Sequence, residues 1–169
     1  MASEGASNNE RLLAAARQDN EDMLLDVFES GNFDINFQDG LGNTALHYAA
    51  SHGNLTVLEH ILSHEDCDVD PVNRIEKATP LHLALAHPDA ELRMAVVESL
   101  LDAGADTTIK NKNGETASDL VSPDDSEIRA LIRNAQAGAA ISRDDVVDDE
   151  DEGEPGSGSG SGSGSEDED

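Results

Sequence analysis

The apolar and polar positions of this chain recur in blocks of about 35 residues. The segment Thr44–Ala49 (Thr-Ala-Leu-His-Tyr-Ala) returns 35 residues later as Thr79–Ala84 and, more loosely, 37 residues after that as Thr116–Val121. A step of 34 residues back from Leu46 reaches Leu12. A period of this length is typical of solenoids, in which each block is one small structural unit that stacks on the next.

Each block reads as two short helices joined to the next block by a turn. In the second block, Thr44 suits a helix N-cap, 45–52 forms the first helix, and Gly53 ends it. Asn54 is then the predicted N-cap of a second helix, whose apolar residues recur at helical spacing. Such short helices cannot bury their apolar faces alone, so stacking is required. The pattern predicts an all-α solenoid of four repeats, at about 9–38, 39–72, 73–110 and 111–135.

The repeated motifs resemble those of the ankyrin-repeat family. Thr79–Ala84 matches the family's Thr-Pro-Leu-His-x-Ala core, and Gly104-Ala105-Asp106 and Gly114-x-Thr116 match its turns. The resemblance implies a structural role for the motif positions, with each imidazole bridging backbone groups between turns. These positions are Thr44, His47, Thr79, His82 and Thr116. Small acidic ankyrin-repeat proteins of fungi that escort a ribosomal protein are similar in architecture.

Three departures from the repeat pattern carry structural predictions. Lys77 stands where Gly42 and Gly114 supply the turn glycine of the other blocks, and its turn holds one extra residue. Pro123 lies where the first helix of the fourth block should finish, so that helix should be short. Residues 126–133 are then the last predicted helix.

Charge narrows the partner classes. The 169 residues hold 37 Asp and Glu against 10 Lys and Arg, a formal net charge of −27. This argues against direct nucleic-acid binding and against docking on anionic membranes, and it favours a basic protein partner or a role in solubility.

The two ends of the chain have the composition of disordered segments. Residues 1–8 are polar, and 136–169 form an acidic, Gly/Ser-rich tail with too little apolar surface to fold. The last 26 residues, 144–169, contain 12 acids and no Lys or Arg. Ser163 and Ser165 each precede an acidic residue by three positions, which resembles an acid-directed phosphorylation site.

No pattern of catalytic or cofactor-binding residues emerges from the sequence. His60 and His64 share a helix face and could hold a metal together with Cys67, or they could simply form a polar helix end. Cys67, the one cysteine, is better suited to packing than to nucleophilic attack. We therefore expect no enzyme activity, no cofactor and no metal. We expect a monomer. We also expect the protein in the cytoplasm, the nucleus or both, because its single cysteine allows no internal disulfide, which fits a reducing compartment.

The resemblance implies a concave groove, formed by the turns and the ends of the first helices, that binds a protein. Leu41 and Ile75 are apolar residues at turn tips, where they either contact a partner or pack on neighbouring turns. The basic residues Arg74, Lys77, Lys110 and Lys112 cluster in the third and fourth turns, where they could bind an acidic segment such as the chain's own tail. The candidate groove residues are Leu41, Asn43, Ser51, His52, Arg74, Ile75, Glu76, Ala86, His87, Lys112 and Asn113.

Two protein-binding functions follow from this groove. The first is an adaptor or assembly chaperone that binds a client protein. A basic client, such as a ribosomal protein or a histone, would match the acidic charge of the chain. The alternative is a signalling or transcription regulator that blocks or recruits its target through the groove, with the tail only aiding solubility.

Overall fold

A computed structural model describes residues 7–147 of the chain, with side chains described to residue 139. This part of the chain contains eight helices and no strand, so the predicted all-α fold is confirmed. None of its helices is both long and apolar enough to cross a membrane.

The helices alternate between two layers of a stack. The first helices are α1 (Asn8–Gln18), α3 (Ala45–His52), α5 (Pro80–Leu85) and α7 (Ala117–Leu120). The second helices are α2 (Glu21–Ser30), α4 (Leu55–Leu62), α6 (Ala90–Asp102) and α8 (Ser126–Val147). Each first helix packs on the next one, α1 on α3, α3 on α5 and α5 on α7, while α2, α4 and α6 pack in a second row beside them.

By its contacts the chain divides into two compact units, Met1–Ile132 and Arg133–Asp169. The first unit contains the repeat stack. Of the second unit, residues 133–147 are described, and they are helical.

Small residues in the first helices allow the stack to close. Ala15, Ala49 and Ala84 are fully buried at equivalent repeat positions, so neighbouring helices approach closely. Leu46 and Leu81 are also buried, and each contributes roughly 2 kcal/mol by leaving water. The predicted apolar pattern therefore points into the core.

The turn glycine position adopts a left-handed backbone in all three turns. Gly42 and Gly114 have φ of +82° and +79°, and Lys77 has φ of +52°. Lys77 thus takes the backbone conformation of the glycine that it replaces, at a steric cost that glycine does not have.

The described structure begins earlier and continues further than the sequence indicated. Residues 1–8 were expected to be disordered, yet Asn8 starts α1 and Ser7 caps it in a reciprocal box with Glu10. The last helix was expected to end at residue 133, but α8 continues to Val147. The alanine-rich residues 134–140 favour helix by propensity even where the apolar pattern stops. Residues 1–6 and 148–169, which include the acidic tail's end with Ser163 and Ser165, lie outside the described residues.

Asn54 occupies the predicted N-cap position of α4, but its side chain makes no capping bond there. It instead donates from Nδ2 to the carbonyls of Ala16 (2.8 Å) and Arg17 (3.2 Å) in the preceding repeat. These carbonyls lie at the end of α1, where no intrahelical donor remains. Asn54 therefore links two repeats. The short α7, in contrast, confirms the prediction from Pro123.

A second set of bonds joins the loops that follow the second helices. The amide of Asp68 donates to Asn36 Oδ1 (2.8 Å), and the amide of Asp106 donates to Asp70 Oδ1 (3.0 Å). The Asp70 carboxylate and the neutral Asn36 side chain thus each accept a backbone amide from the following repeat. Burial raises the pKa of Asp70, although the Asp106 amide opposes this, because the ionised form is poorly solvated there.

Replacing Gly42 and Gly114 by alanine tests the turn geometry. Both substitutions place a Cβ on a left-handed backbone, which costs roughly 1 kcal/mol. A Cβ at Gly42 would also lie 2.7 Å from the amide nitrogen of Arg74, whereas one at Gly114 meets nothing within 4 Å. We expect Gly42→Ala to cost roughly 1–2 kcal/mol more than Gly114→Ala in urea denaturation. Equal costs would contradict the close approach of the two turns.

Replacing Asp70 by asparagine tests the cost of its buried charge. A raised folded pKa means that the ionised carboxylate costs stability at pH 7. This cost shrinks as the pH falls through the folded-state pKa and is gone only well below 3.8, where the acid is protonated in both states. We expect Asp70→Asn to raise the melting temperature at pH 7 and to lose this advantage progressively as the pH falls to about 3. The exposed Glu98→Gln is the control for simply removing one negative charge.

Candidate protein-binding surface

Three turns form one edge of the repeat stack, which we call the turn edge: residues 39–43, 73–78 and 110–115. Backbone hydrogen bonds join adjacent turns. The amide of Arg74 donates to the Leu41 carbonyl (2.9 Å), and the amide of Lys112 donates to the Glu76 carbonyl (2.8 Å). The tips of successive repeats are therefore held side by side.

One polar side chain closes each turn. Asp39 Oδ1 accepts the amides of residues two and four positions on, and Asn111 Oδ1 does the same in its turn. Asn73 Oδ1 instead accepts amides three and five positions on, those of Glu76 and Ala78. The extra residue that the sequence indicated in this turn is thus accommodated by a wider loop around a buried asparagine.

The histidines of the repeat motif tie each turn to the next repeat. His47 Nδ1 accepts the amide of Thr44 (3.0 Å), and its Nε2 donates to the Ala78 carbonyl (2.9 Å) of the following repeat. His82 bonds in the same way to Thr79 and to the Glu115 carbonyl. The bridging role that the family resemblance implied is therefore present at both positions.

The buried imidazole of His47 is suited to its neutral form. Burial lowers the pKa of His47 below its usual value of 6.5, and the hydrogen bond to Ala78 only partly offsets this. One ring nitrogen must accept and the other must donate, which a protonated ring cannot do. His47 is thus a structural residue without a free ring nitrogen.

In the last repeat an aspartate replaces this histidine. Asp119 Oδ2 accepts the amide (2.9 Å) and the hydroxyl (3.1 Å) of Thr116, and the Thr116 amide is the largest cause of the lowered pKa of Asp119. The carboxylate of Asp119 completes the cap of its own helix, but a carboxylate has no hydrogen to donate to another repeat. It suits the last repeat of the part of the chain that the structure describes.

The two apolar tips predicted from the sequence are exposed. Leu41 is 49% accessible and Ile75 is 58% accessible, in turns joined directly by the Arg74–Leu41 backbone bond. Neither has packed away against its neighbour. Asn43, by contrast, is half-buried, and its Oδ1 accepts a bond from Asn73 (3.0 Å). Its side chain therefore stabilises the contact between two turns.

The remaining groove candidates fall at two places. Glu76, Lys112 and Asn113 are exposed on the turn edge, as is Arg74, whose Nη1 donates to the Gly40 carbonyl (3.3 Å). The other candidates lie at or just beyond the ends of α3 and α5. They are Ser51 and His87, which are half-buried, and His52 and Ala86, which are exposed.

A contact that sequence reasoning missed lies beside His52. The Arg17 guanidinium stands 5.0 Å from the centre of the Tyr48 ring, and the Tyr48 hydroxyl donates to Asp39. Burial acts to raise the pKa of Asp39, but bonds from Tyr48 and two turn amides outweigh it and lower the pKa. Arg17 occupies in the first repeat the helix-end position that Ser51 occupies in the second, so the repeat register could have revealed it.

The basic residues of the turn edge make no ion pair within the described residues. All four, Arg74, Lys77, Lys110 and Lys112, are exposed. Elsewhere in the described chain, Arg93 pairs with Asp125 at 3.1 Å and Arg11 approaches Asp26 at 3.8 Å. The cluster expected from the sequence is therefore a set of four accessible cations, which share the turn edge with Asp39, Glu76 and Glu115.

The proposed His–Cys metal set is not assembled. His60 Nε2 contacts Glu21 Oε2 (2.8 Å), while His64 packs edge-on against Phe28 and Phe33. The described residues contain no cluster of three or more metal-ligating side chains. Burial, with a smaller effect of Asp68, raises the pKa of Cys67 to about 11, so the thiol stays protonated at neutral pH.

Comparison with known proteins agrees with this architecture. A family model described as ankyrin repeats, three copies, matches residues 12–111. The chain is 36% identical over 148 residues to ankyrin repeat-containing protein YGL242C of Saccharomyces cerevisiae, covering 80% of this chain and 82% of that protein. It is also similar to parts of two larger proteins.

One of these is the E3 ubiquitin-protein ligase hecd-1 of Caenorhabditis elegans, 33% identical over 122 residues, which are 70% of this chain and 4% of that protein. The other is the human BCL-6 corepressor-like protein 1, 33% identical over 116 residues, which are 67% of this chain and 6% of that protein. The chain thus spans most of the yeast protein and a small part of the other two.

Replacing His47 by alanine tests the bridge between repeats. The variant loses the bonds to Thr44 and Ala78 and leaves a cavity, so we expect a cost of about 3 kcal/mol in urea denaturation at pH 7.5. In the wild type, the lowered pKa of His47 contributes stability above pH 6.5 that is lost as the pH falls through the folded-state pKa. The variant should lack that part of the decline between pH 7.5 and 5.

The matched control is His52→Ala. His52 is exposed and makes one bond, between its Nδ1 and the Tyr48 carbonyl (3.0 Å). It should cost less than about 0.5 kcal/mol and keep the wild-type pH dependence. An unchanged pH dependence in His47→Ala would contradict the buried, neutral imidazole.

Proposed function

The chain belongs to the ankyrin-repeat family, and from this premise we propose that it is an adaptor or assembly chaperone that binds a segment of a client protein. Ankyrin repeats indicate a protein–protein interaction module. The observation that carries the proposal is the exposure of Leu41 and Ile75 on two adjacent, hydrogen-bonded turns. Apolar side chains held side by side on a rigid edge offer a binding site that needs little reorganisation.

The distribution of acids supports a basic client. The second helices α2, α4 and α6 carry eight Asp and Glu against the single base Arg93. Together with the net charge of −27, they create a field that attracts a positively charged protein over long range and speeds its encounter. A ribosomal protein or a histone has this charge. The protein would act as a monomer in the cytoplasm or the nucleus.

Catalysis is not part of the proposal. The buried histidines use both ring nitrogens in hydrogen bonds, and the thiol of Cys67 is protonated and half-buried. His47, His82 and Cys67 are thus used by the fold and do not offer a free base or a thiolate nucleophile.

The alternative function is regulation of a signalling or transcription factor through the groove alone. Its support is the apolar character of the two exposed tips, which could bind without help from charge, and the similarity to part of a corepressor-like protein. The two functions differ in their response to salt. Screening weakens the attraction of a basic client, whereas an apolar contact is little affected.

Affinity purification followed by mass spectrometry tests the proposal and separates the alternatives. The full chain and a 1–143 variant serve as bait at about 50 and 300 mM salt, and each is compared with Leu41→Ser. An adaptor or chaperone should retain a basic client that is lost with salt, with tail deletion and with Leu41→Ser. A groove-only regulator should lose its partner with Leu41→Ser but not with salt or tail deletion.

The matched control is Leu25→Ser, which removes an apolar side chain of similar exposure (41%) from α2, away from the turn edge. Its partners should equal those of the wild type. If Leu41→Ser and Leu25→Ser behave alike, the turn edge is not the binding site and the proposal is wrong.

A further inference from the structure

We propose that the turn edge selects a client segment in which acidic residues flank a large apolar residue. This inference rests on the proposed function, because it names the chemistry of the segment that contacts this surface. It differs from the basic character expected of the client as a whole. The second helices and the turn edge carry opposite charge, so they would contact different parts of one client.

The positive charge of the turn edge is available for binding. Arg74, Lys77, Lys110 and Lys112 supply four of the chain's ten Lys and Arg within 39 residues. Each is exposed, and none makes an ion pair within the part of the chain that the structure describes. A carboxylate of a partner would therefore meet cations that need not give up an existing ion pair.

Three acids, Asp39, Glu76 and Glu115, share the turn edge with the four basic residues, and Asp119 lies just outside it. Asp39 is bonded to Tyr48 and to turn amides, and Glu115 Oε1 accepts a bond from Asn111 Nδ2 (3.0 Å). Glu76 is exposed beside Lys77, and Asp119 lies near Lys110, which contributes to its lowered pKa. Asp39 and Glu115 keep their charge, but both are half-buried and bonded within the turns, whereas the four basic side chains are exposed.

Ile75 lies at the centre of this arrangement. It stands between Arg74 and Glu76, and the backbone bond from Lys112 to Glu76 brings the next turn alongside. Ile75 is 58% exposed, the largest value among the large apolar residues of the described chain. An apolar anchor with Arg74 beside it in the chain and Lys112 in the adjacent turn fits a segment with one large apolar residue between acids.

Selection from a random 12-residue peptide library, with the full-length protein as bait at about 100 mM salt, tests the inference. We expect enriched peptides to contain Asp or Glu on both sides of Leu, Ile, Phe or Met. Their affinities are then measured by fluorescence anisotropy, with each selected peptide synthesised with a dye label. Affinity should fall as salt rises, because the flanking contacts are exposed charge pairs.

Two matched pairs of variants locate the contacts. Lys112→Glu should weaken the selected peptides about fivefold to tenfold, whereas Arg129→Glu, the same charge change at an exposed position on α8, should not. Ile75→Ser should weaken them about tenfold, whereas Leu25→Ser should not. All four residues are exposed, so none of these changes empties the core.

The outcomes separate this inference from the function beneath it. Enriched peptides that are basic or neutral but still need Ile75 would overturn the inference and leave the protein-binding function intact. If Ile75→Ser and Leu41→Ser leave the affinity for the selected peptides unchanged, or if no peptide is enriched, the result would count against both the inference and the proposed function. An excess of synthetic peptide 148–169 could also displace the selected peptides. That result would show that the turn edge binds the chain's own acidic segment, and it would overturn the inference that the edge binds a segment of a client.

Discussion

Two buried histidines, His47 and His82, each donate a hydrogen bond to a backbone carbonyl of the following repeat, and these bonds hold the turn edge in register. The constraint behind them is general. A polar group removed from water needs a partner, and a two-helix repeat has too little of its own surface to supply one. Each imidazole satisfies its own helix start through Nδ1 and its neighbour's turn through Nε2. The turn edge is therefore as rigid as the stack beneath it.

The same constraint explains how the described stack ends. Asp119 replaces the histidine in the fourth repeat and accepts bonds from its own Thr116, and the described residues contain no later turn beside it. At the other end, Ser7 and Glu10 satisfy the start of α1 with a local capping box. Between these ends, Asn54 and Asn36 serve backbone groups of neighbouring repeats. Local caps thus occur along the whole described stack, and in its middle the side chains of His47, His82, Asn36 and Asn54 add bonds between repeats.

Charge is arranged on top of this scaffold without determining it. Most of the described basic residues away from the turn edge, such as Arg11 and Arg93, have an acidic or aromatic neighbour, whereas those of the turn edge have no ion-pair partner. The second helices α2, α4 and α6 carry eight acids and the single base Arg93. A chain with a net charge of −27 therefore presents a small positive surface next to two exposed apolar tips. This separation of charge is the reason to assign the two surfaces to different parts of a client.

Much of the fold could be predicted because its causes are local and repeat. Thr44 and Thr79 cap helices, Gly42 and Gly114 adopt left-handed turns, and Pro123 shortens α7, each through the chemistry of one residue and its near neighbours. The candidate site could be predicted only in outline. Its exposed tips, Leu41 and Ile75, followed from the repeat register, but Asn43 turned out to be bonded to Asn73.

The repeat, its turns and the positions of its apolar core follow from the amino-acid pattern alone, because periodic spacing records which face of each helix is buried. The bonding partners across repeats became known only from the folded arrangement. The contact of Arg17 with Tyr48 spans 31 positions, and the bond of Asn54 to Ala16 spans 38. Such pairs depend on the rotation and translation that relate one repeat to the next. Packing of the whole interface sets this geometry, so the spacing of a single motif does not predict it.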